Sequence, residues 1–302
     1  MALPPPILEP DFDPERFDIR HVLDIGLGAK RGTKQPRTNT GWTAGNLGYC
    51  LRRQWLERAG VEAVEDYPLR TFWIGDLIQT GYERMMSNAG LLITSELHLV
   101  DEDLELSGYV DMIWGGKIPQ GLFEHEESYK PEWQDFLLGY RELLNTAYEG
   151  RTFPITGDEL KTANDYSARK MQQEGAGFHH KMQAASYGLM LDRNPRALET
   201  QVDRWRLSVI DKSDGLMNVF EIREAHSQQA EERVRSLGEY WRERALPPCT
   251  CGVDISWEKN YCKYRDANGC CDPHLVEKAT SAEFWGGFVE PDEPELGDMP
   301  TE

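Results

Sequence analysis

The chain has 302 residues, with 52 acidic and 33 basic side chains and a formal net charge of −19. This length is enough for one large domain or two small ones with a full apolar core. The sequence has no apolar run as long as a membrane span and no signal peptide pattern, so we expect a cytoplasmic protein without membrane contact. The acidic balance disfavours general nucleic-acid binding, but basic residues cluster in segments 30–37, 52–58 and 161–181, which could line a positive groove.

The two ends of the chain have compositions typical of segments that lack a packed core. Residues 1–40 are rich in Pro, Gly and charge, and they predict a flexible basic arm. Residues 289–302 contain six acids and no base, and they predict a disordered acidic tail. The folded domain is therefore expected to span residues 41–288.

Two helices are predicted at the start of this domain. The first runs from Thr43 to Ala59 on an apolar stripe at helical spacing, and Cys50 lies inside it. The second runs from Phe72 to Ala89, where Gln79 and Glu83 are four residues apart and so share a face. Taken alone, Cys50 is interpreted as a small core residue, and the Gln79–Glu83 pair as part of a solvated face.

A β-hairpin follows, with strands at 91–100 and 104–114 around an acidic turn. The second strand carries Asp111 among apolar neighbours. A carboxylate in such a strand is costly to bury unless it is hydrogen-bonded or binds a metal, and both interpretations stay open. Residues 115–154 interrupt the pattern and predict an insertion, with a helix at 132–149, that covers the site or contacts a partner.

The segment from Gly157 to Tyr187 combines a carboxylate, a lysine and a helix face. A strand that contains Glu159 and Lys161 points both side chains to one face, because strand side chains alternate. On the helix predicted at 178–191, Gln183 and Tyr187 are four residues apart and share a face. Asp111 and Glu159 on adjacent strands would suit Mg²⁺ or Mn²⁺, which prefer oxygen ligands.

The remaining elements are a second hairpin, a long helix and a cysteine-rich segment. The hairpin has strands at 204–210 and 216–223, the helix spans 225–245, and the cysteine segment spans 249–271. Five of the six cysteines fall in this last segment, and in a cytoplasmic protein such a cluster favours metal binding over disulfides.

The order G-x-x-D at Asp111, E-x-K at Glu159 and Lys161, and Q-x-x-x-Y at Gln183 and Tyr187 resembles the RecB-like branch of the PD-(D/E)XK nuclease superfamily. ELKTANDYS followed by Q-x-x-x-Y is especially similar to phage-encoded relatives of the CRISPR-associated exonucleases that carry an iron–sulfur cluster. The resemblance covers residues 43–275 apart from the insertion. It implies an α/β, restriction-endonuclease-like fold: a central mixed β-sheet flanked by helices, an N-terminal helical part and a C-terminal cysteine-rich segment that binds the cluster.

The resemblance also implies roles for particular residues. Asp111, Glu159 and the backbone carbonyl of Leu160 would bind Mg²⁺ or Mn²⁺, while Lys161 would orient the attacking water, and Gln183 and Tyr187 would complete the catalytic set. Relatives often have G-x-x-x-H on the preceding helix, with the His as a metal ligand. Here Gln79 occupies that position, so either Gln79 or Glu83 would serve instead.

The same relatives close a [4Fe–4S] cluster with one early and three late cysteines. The early ligand would be Cys50. The late ligands would be Cys251 or Cys249, then Cys262, and then Cys271 or Cys270; Lys259 stands where the usual C-x₂-C spacing requires a cysteine. Four thiolates also suit Zn²⁺, which the resemblance makes the second choice.

These residues lead to the expectation of a metal-dependent DNA exonuclease with a structural iron–sulfur cluster. Its substrate would be single-stranded DNA or DNA ends, with 5′→3′ polarity in its relatives, in phage or prokaryotic recombination or DNA processing. The alternative is a non-catalytic scaffold of the same fold that partners recombination or CRISPR adaptation proteins. Homo-oligomer formation is left open.

Overall fold

The computed structural model describes residues 41–61, 69–119, 142–143, 145–251, 258, 262–264 and 273–281. The predicted arm at 1–40, the tail at 289–302, Cys270 and Cys271 lie outside these residues. So does most of the predicted insertion, although residues 142–143 and 145–148 are helical, as expected for the helix predicted there. The chain divides into two compact units, Met1–Gly48 with Asp66–Arg233, and Tyr49–Glu65 with Val234–Glu302.

The described elements are six strands, six α-helices and two 3₁₀ turns. The strands are β1 Trp42–Thr43, β2 Leu92–Asp101, β3 Leu106–Lys117, β4 Thr152–Ala163, β5 Arg204–Asp211 and β6 Met217–Ile222. The helices are α1 Leu51–Arg58, α2 Leu69–Asn88, α3 Asp165–Glu174, α4 Phe178–Arg193, α5 Glu224–Arg242 and α6 Pro273–Thr280, and the 3₁₀ turns are Ala44–Asn46 and Pro195–Ala197.

The six strands form one mixed sheet in the first unit, in the order β1-β3-β4-β5-β6, with β2 also paired to β3. The pairs β2–β3, β3–β4 and β5–β6 are antiparallel, while β1–β3 and β4–β5 are parallel. A parallel neighbour cannot be reached through a tight turn, and the crossover from β4 to β5 contains α3 and α4. Helices α2, α3 and α4 pack on the sheet, so the architecture is mixed α/β.

Both faces of the sheet centre are buried. One apolar cluster, which also receives side chains from α2, contains Met112, Trp114, Leu160 and Ile210. A second, which includes side chains of α3, contains Ala163, Ala168, Ala176, Leu207 and Val209. Val209 and Ile210 are consecutive in β5 and belong to different clusters, because successive strand side chains point to opposite faces. Burial on both sides accounts for the last five residues of β5, from Leu207 to Asp211, all being buried.

Most sequence-predicted elements are confirmed with small shifts at their ends. Both hairpins form, as β2–β3 and β5–β6, and the helices predicted at 72–89, 178–191 and 225–245 correspond to α2, α4 and α5. The helix α3 was not predicted. Its start is fixed by Asn164, whose side chain accepts a hydrogen bond from the Ser167 amide, and Gly175 with φ of +87° ends it.

The helix predicted at 43–59 is wrong in its first half. Trp42 pairs with Leu106 of β3, a 3₁₀ turn follows, and α1 begins only after Cys50. The backbone at Gly48 lies so close to α4 that a Cβ there would be 2.2 Å from the Cα of His179. This contact suits a glycine in an irregular segment, and it leaves Cys50 before the helix rather than inside it.

The second unit joins an early and a late part of the chain. The rings of Trp55 in α1 and Trp241 in α5 make an edge contact with centroids 5.6 Å apart, and the guanidinium of Arg58 lies 4.5 Å from the Trp241 ring centroid. The Tyr264 hydroxyl donates to the carbonyl of Val61 at 3.2 Å. These contacts bring the segment that follows Cys50 against the cysteine-rich segment.

Candidate metal centre and cysteine cluster

The register of β3 and β4 brings Asp111 to Glu159. Met112 pairs with Asp158 in this antiparallel ladder, so the next residues along, Asp111 and Glu159, face each other. The amide of Leu160 donates to the Asp111 carboxylate at 2.7 Å, which fixes the side chain against β4. The expected adjacency of the two carboxylates is therefore present.

Glu159 is the most deeply buried acid of this group. It has 0% exposure, and one of its oxygens accepts from the ammonium of Lys161, as expected for two residues on one strand face. Its Oε2 has no hydrogen-bond partner among the described residues. Burial raises the pKa of Glu159 to about 8, against the effect of Lys161 and together with that of Asp111. Burial also raises the pKa of Asp111.

When both carboxylates are ionised, the group carries one more negative charge than Lys161 offsets. A divalent cation would supply the missing positive charge, and carboxylate oxygens are the ligands that Mg²⁺ and Mn²⁺ prefer. The donor set therefore fits the predicted ion. The role expected for the Leu160 carbonyl stays a prediction, because only its amide has a described contact with Asp111.

Helix α4 covers this group with Gln183 and Tyr187. The Gln183 amide donates to the Tyr187 hydroxyl at 3.0 Å, as their spacing predicts, and Tyr187 is only 2% exposed. Burial and the charge of Glu159 raise the pKa of Tyr187, so the phenol stays protonated beside the carboxylates. The tyrosine ring also accounts for the glycine of the G-x-x-D motif, because a Cβ at Gly108 would lie 2.8 Å from its Cε1 atom.

Helix α2 contributes an amide that bridges two acids. The Gln79 Nε2 atom donates to Glu83 Oε1 and to Glu96 Oε1, both at 3.0 Å. Glu96 is a residue that sequence reasoning missed. It lies in β2 with a positive φ of 52°, an uncommon conformation for a residue other than glycine. Its charge acts on Asp111 and Tyr187, raising the pKa of both.

His180 is a second residue that the motifs did not select. It lies one turn before Gln183 on α4, and its ring centroid is 3.8 Å from that of His179. Burial, with the charges of His179 and Lys161, holds its pKa well below the usual value, so it is a neutral imidazole. The sequence did contain a signal for His180, because it lies at i, i+3, i+7 helical spacing with Gln183 and Tyr187 and so shares their helix face.

Asp158, the residue before Glu159 in β4, makes structural contacts instead. Its carboxylate accepts from the Trp114 indole at 3.1 Å and from the Ser208 hydroxyl at 3.0 Å. The Nη2 atom of Arg206 lies 3.8 Å from Oδ2 of Asp158, and the guanidinium lies over the Trp114 ring, 4.8 Å from its centroid. These contacts stabilise the sheet on the face opposite Glu159, since neighbouring strand residues point to opposite sides.

The second unit contains a group of free cysteines. The sulfur atoms of Cys50, Cys249 and Cys251 all lie within 4.8 Å of one another, so these residues could hold a metal. The sequence left Cys249 and Cys251 as alternatives, and the structure places both beside Cys50. A hydrogen bond from Cys251 lowers the pKa of Cys50 to about 5. Cys251 also makes a hydrogen bond with Cys262, and this bond raises the pKa of Cys251. Cys262 therefore lies next to Cys251, and its role as a ligand stays a prediction.

Backbone donors support the cysteine group. The Thr250 amide donates to the Cys50 sulfur at 3.2 Å, which favours its thiolate form. The Cys50 amide donates to Glu258 at 2.7 Å, and burial raises the pKa of this glutamate to about 7. Thiolates are soft ligands that select Zn²⁺ or iron–sulfur clusters, so the donor set fits both the [4Fe–4S] cluster and the Zn²⁺ ion named from the sequence.

Comparison with known proteins does not assign the chain to a family. No family model matches it, and neither does any curated protein. A solved structure titled "Crystal structure of SSO0001" is similar at 16% identity and a TM-score of 0.42, covering 82% of this chain and 93% of that one. A likeness at this level identifies neither a family nor a function. Among the described helices, none has the length and apolar character needed to cross a membrane.

Proposed function

We propose that this protein is a divalent-metal-dependent DNA exonuclease of the RecB-like PD-(D/E)XK type, with a restriction-endonuclease-like fold. The observation that carries the proposal is the group formed by Asp111, Glu159 and Lys161. Two carboxylates meet across adjacent strands, and the deeply buried one keeps an oxygen without a hydrogen-bond partner among the described residues. A structural ion pair would not need a second carboxylate beside it, whereas Mg²⁺ is usually bound through one or two carboxylates.

The roles of the residues follow from their chemistry. Asp111 and Glu159 would hold Mg²⁺ or Mn²⁺, which when bound lowers the pKa of water and offsets charge on the attacked phosphate. Lys161 is more exposed than Glu159, with 28% of its side chain accessible, so its ammonium can reach both the carboxylate and an incoming phosphate. Gln183 is half-buried and offers a neutral donor beside the carboxylates that suits DNA phosphates or bases, while the buried Tyr187 accepts a hydrogen bond from it.

The substrate class is proposed from the residue set together with its resemblance to the nuclease motifs. Single-stranded DNA or DNA ends are the proposed substrates, in phage or prokaryotic DNA recombination or processing. The net charge of −19 disfavours tight nonspecific binding, so contact with DNA would depend on the local site. DNA-processing or CRISPR adaptation proteins are the proposed protein partners.

The test is degradation of end-labelled single- and double-stranded DNA with and without Mg²⁺ or Mn²⁺. Wild type should degrade DNA only with the metal, and Lys161→Ala should lose the activity. Lys117→Ala is a matched control, because Lys117 is exposed at the end of β3, six residues beyond Asp111 and outside the three basic segments, and should leave activity unchanged. Equal lack of degradation by all three proteins would favour the non-catalytic scaffold instead.

We further propose that Cys50, Cys249 or Cys251, and Cys262 bind a structural [4Fe–4S] cluster together with Cys270 or Cys271. Sulfur atoms that meet from distant parts of the chain support this assignment, and Zn²⁺ is the alternative. Protein purified without oxygen should be brown and contain iron, and Cys50→Ser should lose both. A colourless protein that contains zinc would replace the cluster with a zinc site.

A further inference from the structure

We propose that Glu96 is an additional ligand of the divalent cation and that Gln79 is a positioning residue for it, not a ligand itself. This inference rests on the proposed function, since it concerns the same metal centre. It assigns to β2 the ligand that the resemblance would have placed on α2.

Strand register puts Glu96 at the level of the other two acids. In the β2–β3 ladder Ser95 pairs with Met112 and Leu97 pairs with Val110, so Glu96 lies opposite Asp111. In the next ladder Asp111 lies opposite Glu159 by the same counting. Three neighbouring strands therefore each contribute one carboxylate at one level of the sheet.

The orientation of the Gln79 side chain argues against a ligand role for its carbonyl oxygen. Its amide nitrogen has two hydrogens, and each has a carboxylate acceptor at 3.0 Å, Glu83 and Glu96. The reversed amide would set its carbonyl oxygen against two negative charges. Gln79 thus presents its donor to Glu96, as groups that orient metal ligands do.

The innermost acid distinguishes these residues from a chance surface cluster, because it is an unsatisfied buried group. Glu159 has 0% exposure, and its Oε2 has no hydrogen-bond partner among the described residues. Glu96 is exposed, so the site has an open side through which a hydrated cation can enter. A buried carboxylate at the inner end and an exposed one at the entrance suit an ion that keeps some of its water ligands.

The test is the dissociation constant for Mn²⁺, measured by isothermal titration calorimetry on the chelator-treated full-length protein. Glu96→Gln should weaken binding by about tenfold or more, in the range found when a group of the metal site is lost. Glu83→Gln is the comparison variant, because it removes the same charge and the same kind of Gln79 contact, and it also tests the ligand position on α2 that the resemblance allows. It should cause a clearly smaller loss, since charges beyond the ligand shell are screened by salt. Unchanged thermal unfolding would show that each variant folds.

A double-variant cycle separates positioning from ligation. Gln79→Ala should weaken Mn²⁺ binding in the wild-type background but have little further effect in Glu96→Gln, because the carboxylate that it orients is then absent. If the fold-losses in Mn²⁺ affinity of the two single variants multiply in the double variant, Gln79 is an independent ligand and the assignment is overturned.

The outcomes distinguish this inference from the proposed function. If Asp111→Asn abolishes Mn²⁺ binding while Glu96→Gln matches wild type or Glu83→Gln, the metal centre stands and the role of Glu96 is refuted. If wild type does not bind Mn²⁺, or Asp111→Asn leaves the affinity unchanged, the proposed function fails and the inference fails with it.

Discussion

Replacing Gly108 by alanine should destabilise the first unit and disturb the site from a position that has no functional side chain of its own. A Cβ at this position would lie 2.8 Å from Cε1 of Tyr187 and 2.8 Å from the Cβ of Ala44. Both distances are shorter than van der Waals contact, and both neighbours are buried, at 2% and 0% exposure. The new methyl therefore has no free space, and the tyrosine ring or the strand must move.

The expected cost is that of overpacking a core, about 1–3 kcal/mol. For a chain of this size that corresponds to a fall in melting temperature of roughly 2–6 °C. Displacement of the ring would also disturb the hydrogen bond from Gln183 to Tyr187, which is 3.0 Å long. DNA degradation under the proposed function should fall further than the loss of folded protein explains.

The assay is thermal unfolding followed by circular dichroism, with Gly81→Ala as the control. Gly81 lies inside α2, and a Cβ there would meet no atom within 4 Å. The same substitution at this position should stabilise the protein by about 0.5–1 kcal/mol, because it lowers the entropy of the unfolded chain in a helical segment. If Gly108→Ala is as stable as Gly81→Ala, the close packing between the G-x-x-D and Q-x-x-x-Y motifs is refuted.

Two further substitutions test the elements that position the site. Gly48→Ala should lower the melting temperature by an overpacking cost of about 1–3 kcal/mol, because its Cβ would lie 2.2 Å from the Cα of His179. Gly45→Ala is its control, since the nearest atom there is 3.8 Å away, and equal unfolding of the two variants would contradict the packing. Asn164→Ala should cost about 1 kcal/mol, measured by urea unfolding, through loss of the cap on the Ser167 amide; an unchanged midpoint would show that the cap contributes nothing.

Periodicity and turn residues predicted most of the fold. The two hairpins and the helix that carries Gln183 were found because each combines a regular apolar pattern with a clear turn or stop. The helix predicted at 43–59 was wrong in its first half, because the apolar stripe matches a helix while a glycine of this segment makes a close tertiary contact. Local propensity cannot show that Gly48 lies against α4, because His179 is 131 positions away in the sequence.

The motif residues were predictable because their spacing reflects geometry that a strand or a helix imposes. Glu159 and Lys161 share a strand face, and Gln183 and Tyr187 share a helix face, whatever the rest of the chain does. The pairing of Asp111 with Glu159 needed more, because the register of two strands separated by an insertion is set by tertiary packing. In that case the resemblance supplied what the pattern alone left open.

Glu96 shows where this kind of reasoning ends. It belongs to none of the motifs, and an acid within a β-strand is commonly a solvated residue on the outer face. Only the register of β2 with β3 brings it opposite Asp111, and only the side chain of Gln79 shows how the carboxylate is held. Under the proposed function, a glutamine where the resemblance expects a histidine need not weaken the centre, because Gln79 would still act there through the carboxylate that it orients. The site would then keep its number of ligands, with one of them supplied by β2 instead of α2.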